Sequence, residues 1–273
     1  MKEYDKYLKL LKEKYPTKQS VYRELINLNA IMNLPKGTEH FMSDLHGEYD
    51  AFYHIINNCS GVIREKVSML YGDELTVYEQ QELCTLIYYP REKLSILMDE
   101  NKVNDEWYRN VLNQLIQIAK LLSSKYTRSK VRKAMPVDFA YIIDELIHAQ
   151  KDEDDNRSVY HRQIMETILS LHNGDEFLVA LTDLIKRLAV DHLHILGDIY
   201  DRGSHADKIL DLLMEHHSVD IQWGNHDILW MGAFCGNPVC MALVVRNNIK
   251  YKTMSILENG YGTVSYTHLT LPT

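Results

Sequence analysis

Three short polar segments, each following an apolar run typical of a strand, place the strongest constraint on the fold of this chain. They are Ser43-Asp44-Leu45-His46-Gly47, Gly197-Asp198-Ile199-Tyr200-Asp201-Arg202-Gly203 and Gly224-Asn225-His226-Asp227. Strands that break into glycine-rich loops are typical of an α/β sheet, and such loops meet at the carboxyl edge of the sheet. The sequence therefore predicts one site that combines carboxylates, imidazoles and an amide oxygen.

The residues around these segments repeat a pattern of strand, polar loop and helix. We predict strands over 38–43, 193–196 and 219–223, and a helix over 48–58 behind the first loop. Ser204 is predicted to cap the next helix, with Asp207 three positions later, and this helix should run to His216. The repeated units predict an α/β sheet with helices packed around it.

The rest of the chain has mostly helical patterns. Residues before Pro35-Lys36-Gly37 form an amphipathic block, Thr76 and Glu79 form a capping box, and an apolar stripe runs through 104–125. We therefore predict four regions: amino-terminal helices with the first part of the core (1–60), a large helical insertion (61–185), the second part of the core (186–262) and a non-native tail (263–273). The tail prediction rests on its lack of charge and of amphipathic period.

Composition restricts the partners and the location that we expect. The formal net charge of -8 argues against nonspecific attraction to nucleic acid or to an anionic membrane. The uncharged stretch 228–245 is interrupted by Gly236-Asn237-Pro238, which predicts two buried helices joined by a turn and not a membrane span. Four scattered cysteines and a charged amino terminus predict a cytoplasmic protein without a disulfide framework. The oligomeric state is left open.

The polar segments have the donor types of a two-metal site. Asp44 and His46 are two positions apart, so in an extended segment both side chains face one cation. Asp198 follows a glycine at a strand end, where a carboxylate can bridge two ions about 3.5 to 4 Å apart. Asn225 offers a neutral oxygen to the second ion. Such paired ions support displacement at phosphorus.

The remaining polar side chains fit the other needs of phosphoester hydrolysis. Arg202 presents a planar set of donors for phosphoryl oxygens. His226 is the best candidate for the general acid that protonates the departing alkoxide. Either Asp227 or Asp201 can fix its tautomer, and Asp201 can alternatively hold Arg202. The residues alone leave this choice open.

Two further histidines lie on the extended segment that leads into Gly197. His192 and His194 alternate along it, so their side chains share one face of the sheet. This spacing permits a pair of metal ligands, but we interpret the two residues as hydrogen-bonded members of the strand.

At these residues the chain resembles the calcineurin-like metallophosphoesterases, and within them the class III fructose-1,6-bisphosphatases. The resemblance rests on the strings at 41–49, 194–203, 225–232 and 258–262, and on the long helical insertion between the first two motifs. It implies an α/β fold with a calcineurin-like metallophosphoesterase core, incomplete in this chain, and a large helical insertion.

The resemblance also implies an activity and roles for individual residues. The reaction is hydrolysis of the 1-phosphate of fructose 1,6-bisphosphate to fructose 6-phosphate, a step of gluconeogenesis, commonly with manganese. His226 is implied as the protonating residue and Arg202 as a phosphate contact. The implied metal ligands are Asp44, His46 and Asp198 for one ion, and Asp198 and Asn225 for the other.

The chain departs from this pattern at its carboxyl end. The two later histidine segments of the family are expected beyond Gly262, where His268 is the only histidine. We therefore expect a truncated chain that is inactive as it stands. Three alternatives share these motifs: a serine/threonine protein phosphatase, a dinucleoside polyphosphate hydrolase, and a noncatalytic fragment that binds a partner through its helices.

Overall fold

A computed structural model describes residues 2–149 and 155–262 of the chain, which divides into two compact units, Met1–Lys36 and Gly37–Thr273. The first unit contains two helices, α1 (Lys2–Lys14) and α2 (Lys18–Met32). Thr17 and Ser20 form a reciprocal capping box at the start of α2, in which each backbone N–H donates to the other hydroxyl over 3.1 Å. The predicted amino-terminal helices are confirmed.

The second unit contains a sheet of three parallel strands with β2 in the centre. The strands are β1 (Glu39–Met42), β2 (His192–Ile195) and β3 (Val219–Ile221), in the order β1-β2-β3. All three agree with the predicted strands to within two residues at each end. The predicted α/β class is therefore confirmed.

Helices make up most of the second unit. They are α3 (Tyr49–Asn58), α4 (Val62–Tyr71), α5 (Val77–Tyr88), α6 (Pro90–Asp99), α7 (Asp105–Ser123), α8 (Arg128–Ala134), α9 (Ala140–Ile147), α10 (Asp155–Ser170), α11 (Gly174–Ala189), α12 (Ala206–Glu215), α13 (Asn225–Phe234), α14 (Pro238–Tyr251) and α15 (Ser255–Tyr261). The capping box of Thr76 and Glu79 starts α5 as predicted.

The helices between β1 and β2 enclose a hydrophobic core of their own. The apolar stripe predicted over 104–125 is the buried face of α7, which packs against α11 through side chains such as Leu112, Leu115 and Leu181. Burial of each such leucine contributes about 1.5 to 3 kcal/mol relative to exposure. The boundaries of the insertion at 61 and 185 remain a prediction.

A second, smaller core covers one face of the sheet. Leu193 and Ile195 of β2 are buried there against Phe52 of α3 and Ile209 of α12. The side chains on the opposite face of the sheet are polar or half-exposed, and Phe41 there is 62% exposed. Within the part of the chain that the structure describes, only the first of these faces is packed, so the strands alternate in burial. The polar loops follow the carboxyl ends of the strands.

The start of α12 differs from the prediction that Ser204 caps it. The helix begins at Ala206, and His205 occupies the cap position without a capping side-chain hydrogen bond. The preceding segment bonds instead to the first polar loop, since the Gly203 N–H donates to the carbonyl of His46 and the His205 N–H to that of Gly47. These tertiary hydrogen bonds keep Ser204 outside the helix.

The uncharged stretch 228–245 forms two helices, as predicted, but they are not buried as predicted. Asn237 caps α14 through its side-chain oxygen, and the turn before it has Gly236 at a φ of 86°. Phe234 is 81% exposed and Val239 is 65% exposed, because no described part of the chain packs over them. No described helix is both long and apolar enough to cross a bilayer.

Candidate metal centre at the carboxyl edge of the sheet

The three polar loops meet at the carboxyl ends of the strands, as predicted from their positions after β1, β2 and β3. Backbone hydrogen bonds join the first loop to the second: the Asp44 N–H donates to the carbonyl of Gly197 over 3.2 Å, and the His46 N–H to that of Asp198 over 2.8 Å. The N–H of His226, in the third loop, donates to Oδ1 of Asp198 over 3.2 Å. One carboxylate therefore lies where all three loops meet.

The loops hold several site residues in strained backbone conformations. Asp44, His46 and Asp198 adopt φ values of 56°, 50° and 54°, in the left-handed region that residues with a side chain rarely occupy. Each such residue costs about 1 to 2 kcal/mol. Strain of this kind persists only where surrounding contacts impose it, and it is concentrated at functional sites.

Close backbone approach explains the glycine of the third loop. A Cβ added to Gly224 would lie 2.1 Å from Oδ1 of Asp198 and 2.4 Å from the Asp198 nitrogen. No side chain fits in that space without displacing the Asp198 carboxylate. Gly224 is therefore needed for the position of this carboxylate.

Asp44, His46 and Asp198 form a group that could hold a metal ion. One ligand atom from each lies within 4.8 Å of the others, and Nε2 of His46 is 3.6 Å from Oδ1 of Asp44. Two carboxylates and an imidazole suit a divalent ion that accepts oxygen and nitrogen ligands. Asn225 opens α13 beside His226, so its exposed amide lies at the same edge of the sheet.

Asp201 lies between His226 and Arg202 and contacts both. Its side chain is 6% exposed, with Oδ1 at 3.4 Å from Nδ1 of His226 and Oδ2 at 3.2 Å from Nε of Arg202. Oδ1 is buried and has no hydrogen-bond partner of normal geometry among the described residues. The guanidinium of Arg202 also reaches Nδ1 of His46, at 3.0 Å. Both contacts considered for Asp201 from the sequence are present.

The Asp227 carboxylate binds backbone amides and not the side chains of the site. Its carboxylate is 1% exposed and accepts four backbone N–H groups, one of them from its own loop and three from the second loop, at 2.7 to 3.1 Å. The donors are Asp198, Ile199, Tyr200 and Gly224. Both oxygens are occupied in this way, so Asp227 joins the second and third loops and Asp201 is the carboxylate beside His226.

Sequence reasoning missed this use of Asp227. The available signal was its place in the first turn of a helix, where a carboxylate accepts free backbone N–H groups. That signal accounts for the bond from Gly224 but not for the three amides that come from the loop after β2. Those donors become visible only when the sheet order is known.

A pocket of about 310 Å³ adjoins the candidate metal group. Asp44, His46 and Arg202 line its polar side, and Phe52 and Ile55 of α3 line its apolar side. Its volume is at the lower end of the range of small-molecule sites. A phosphorylated small molecule would meet a cationic side chain and the metal ligands at the same wall.

The amino-acid sequence of the chain matches one known protein family. Residues 6–271 match the family described as Firmicute fructose-1,6-bisphosphatase. The chain belongs to this family. The match begins in α1 and includes the three polar loops, and it extends into 263–273, the segment that we predicted to be non-native and that lies outside the described residues.

Over the aligned residues, curated relatives in this fructose-1,6-bisphosphatase family are identical to the chain at about half of the positions. A class 3 fructose-1,6-bisphosphatase of Clostridium beijerinckii is 54% identical over 272 residues, which are 96% of this chain and 41% of the relative. Class 3 enzymes of Clostridium acetobutylicum (53%) and Listeria monocytogenes (54%) align with 94% of this chain and with 38% and 39% of their own lengths. The chain thus spans about two fifths of these relatives. No solved structure matches it.

Proposed function

We propose that the protein hydrolyses the 1-phosphate ester of fructose 1,6-bisphosphate, giving fructose 6-phosphate and phosphate in gluconeogenesis, on a calcineurin-like metallophosphoesterase core. The observation that carries the proposal is the meeting of the Asp44, His46 and Asp198 group with the Asp201 and His226 pair beside a small polar pocket. We propose this substrate because the similar curated proteins are named class 3 fructose-1,6-bisphosphatases. A role in sugar metabolism also leads us to propose a cytoplasmic location.

We propose a divalent ion, Mn²⁺, held by Asp44, His46 and Asp198, and a second held by Asp198 and Asn225. When bound, the ions withdraw charge from the phosphoryl oxygens and lower the pKa of water. These residues offer fewer donors than two ions with six ligands each would need. Further ligands are therefore expected from outside the described residues, from substrate and from water.

The other side chains bind phosphate and supply the proton. Arg202 is 58% exposed at the pocket wall, where its guanidinium can bond to phosphoryl oxygens in place of its contact with His46. As water attacks phosphorus and the P–O ester bond breaks, the protonated His226 gives its proton to the departing sugar oxygen. Asp201 faces Nδ1 of His226, which leaves Nε2 as the nitrogen that donates.

The substrate proposal is tested by comparing three phosphate compounds. The chain is fused to the remaining sequence of the Clostridium beijerinckii relative and assayed with Mn²⁺ for phosphate release. We expect fructose 1,6-bisphosphate to be hydrolysed faster than a phosphopeptide or a diadenosine polyphosphate. Preference for the phosphopeptide would indicate a protein phosphatase, and preference for the diadenosine compound a dinucleoside polyphosphate hydrolase. Either preference contradicts the proposal.

A further inference from the structure

A second group of possible metal ligands lies on the face of the sheet that is not packed by α3 and α12. His192 and His194 point from this face of β2, Asp220 from β3 and Glu39 from β1. The register pairs Glu39 with His192 and His194 with Asp220. One ligand atom each from His192, His194 and Asp220 lies within 4.8 Å of the others.

The two imidazoles turn one nitrogen each toward the same carboxylate. Nε2 of His192 is 3.3 Å from Oδ2 of Asp220, and Nδ1 of His194 is 2.8 Å from Oδ1. The hydrogen-bonded role expected for the two histidines is therefore present. The same geometry also places two nitrogen donors and one carboxylate around a single point that is open to solvent through Asp220, whose side chain is 60% exposed.

Of the other two ring nitrogens, that of His192 has the hydrogen-bond partner that metal-bound histidines usually have, and that of His194 faces a carboxylate. A histidine that ligates a metal commonly donates its second N–H to an oxygen, which fixes the ring and its tautomer. Nδ1 of His192 lies 2.6 Å from the hydroxyl of Ser218, and Nε2 of His194 lies 3.7 Å from a carboxylate oxygen of Glu39. Nε2 of His194 is buried and has no hydrogen-bond partner among the described residues, and the Glu39 carboxylate is the acidic group nearest to it in an ion-pair contact.

Packing and charge also favour a bound cation. Phe41 stacks on the ring of His194, with centroids 4.4 Å apart and planes inclined by 12°, which restricts its rotation. The only ion-pair partners of Glu39 and Asp220 within the described ranges are His192 and His194. With neutral imidazoles the cluster carries two uncompensated negative charges, and a divalent cation would compensate them.

We infer that His192, His194 and Asp220 bind a divalent transition-metal ion, Zn²⁺ by the chemistry of the donors, at a site separate from the proposed catalytic centre. Two imidazoles and a carboxylate with an open fourth position form a common tetrahedral zinc environment. Glu39 and Ser218 act as positioning residues that orient the two rings. Because its ligands come from both β2 and β3, the ion would hold together the two strands that lead into the loops of Asp198 and Asn225.

The test separates this site from the catalytic one by removing the catalytic ligands first. Zn²⁺ is titrated calorimetrically into the chain with Asp44→Asn and Asp198→Asn. We expect one equivalent of Zn²⁺ to remain, and the further change His194→Gln to weaken its binding at least about 10-fold. The matched control is His172→Gln, an exposed histidine outside the sheet, which should leave the affinity unchanged.

A second variant keeps the test decisive if His194→Gln fails to fold. Glu39→Gln alters only an exposed side chain of an edge strand, and we expect it to weaken Zn²⁺ binding about 10-fold with an unchanged far-ultraviolet circular dichroism spectrum. Absence of Zn²⁺ binding in the parent double variant would overturn the inference. Equal affinities for the parent, His194→Gln and Glu39→Gln would overturn it as well.

Discussion

Asp201 and Asp227 show how two carboxylates of similar burial take different tasks at one site. Asp201 faces the side chains of His226 and Arg202, whereas Asp227 faces backbone amides and contacts no imidazole. A buried carboxylate that accepts several backbone N–H groups fixes the segments that supply them, because breaking those bonds would leave a buried charge without partners. Asp227 therefore holds the loops of the site in place, whereas Asp201 contacts the side chains that we propose to take part in the reaction.

Replacement of Asp227 should destabilise the protein. In Asp227→Asn one oxygen becomes an NH₂ group that faces backbone donors, so at least one buried N–H group loses its acceptor. Loss of a buried, charged hydrogen-bond acceptor costs about 2 to 3 kcal/mol. We expect a decrease of that size in the free energy of unfolding, measured by urea titration. Asp207→Asn, at an exposed position of α12, is the control and should change it little.

Substitution of His226 and of Asp198 should separate proton donation from metal binding. In the chain completed with the relative's sequence, His226→Ala should lower turnover about 100-fold or more and leave Mn²⁺ content nearly unchanged. Asp198→Ala should lower both, because this carboxylate lies among the predicted ligands. Metal content is measured by atomic emission on the purified proteins. Loss of Mn²⁺ from the His226 variant would mean that a ligand had been mistaken for an acid.

At the scale of elements, the strands and loops were predictable because their signals are local. Alternating apolar residues and glycine-rich loops identified β1, β2 and β3, and their parallel order brought Asp44 and Asp198 together. The start of α12 was not predictable, since the N–H of His205 bonds to Gly47, far away in sequence. The exposure of Phe234 was not predictable either, because an apolar pattern does not show what covers it. The metal and catalytic roles themselves remain predictions.

His216, at the carboxyl end of α12, should make the free energy of unfolding depend on pH. Burial, aided by the neighbouring imidazole of His217, lowers the pKa of His216 from 6.5 to about 4. Between these values the unfolded chain binds a proton that the folded chain does not, so stability falls as the pH falls through this range. We expect His216 to account for about 1 kcal/mol of the decrease in the free energy of unfolding between pH 7 and pH 5. The value is smaller than the full pKa shift would give, because the ring is partly exposed and solvent screens its charge.

This dependence is measured by urea unfolding at the two pH values. His216→Gln should make the decrease in stability between pH 7 and pH 5 smaller, while His172→Gln, which alters an exposed ring, should not. An identical decrease in His216→Gln and the unsubstituted chain would show that His216 does not titrate in this way.

At the scale of the whole molecule, metal binding should appear as thermal stability. An ion that binds only the folded chain stabilises it by about 2.7 kcal/mol when its concentration is a hundred times Kd. For a chain of this size that corresponds to a rise in Tm of about 5 °C. We expect this rise with Mn²⁺ by differential scanning fluorimetry, and its loss in Asp198→Asn. A rise that survives in Asp198→Asn would place the stabilising ion elsewhere.

The four backbone amides that converge on the Asp227 carboxylate have a consequence for the motion of the site. They come from two loops that follow different strands, so neither loop can swing away without breaking bonds to the same side chain. The loops after β2 and β3 should therefore open as one cooperative event, with the amide protons of Asp198, Ile199, Tyr200 and Gly224 exchanging with solvent at a common rate.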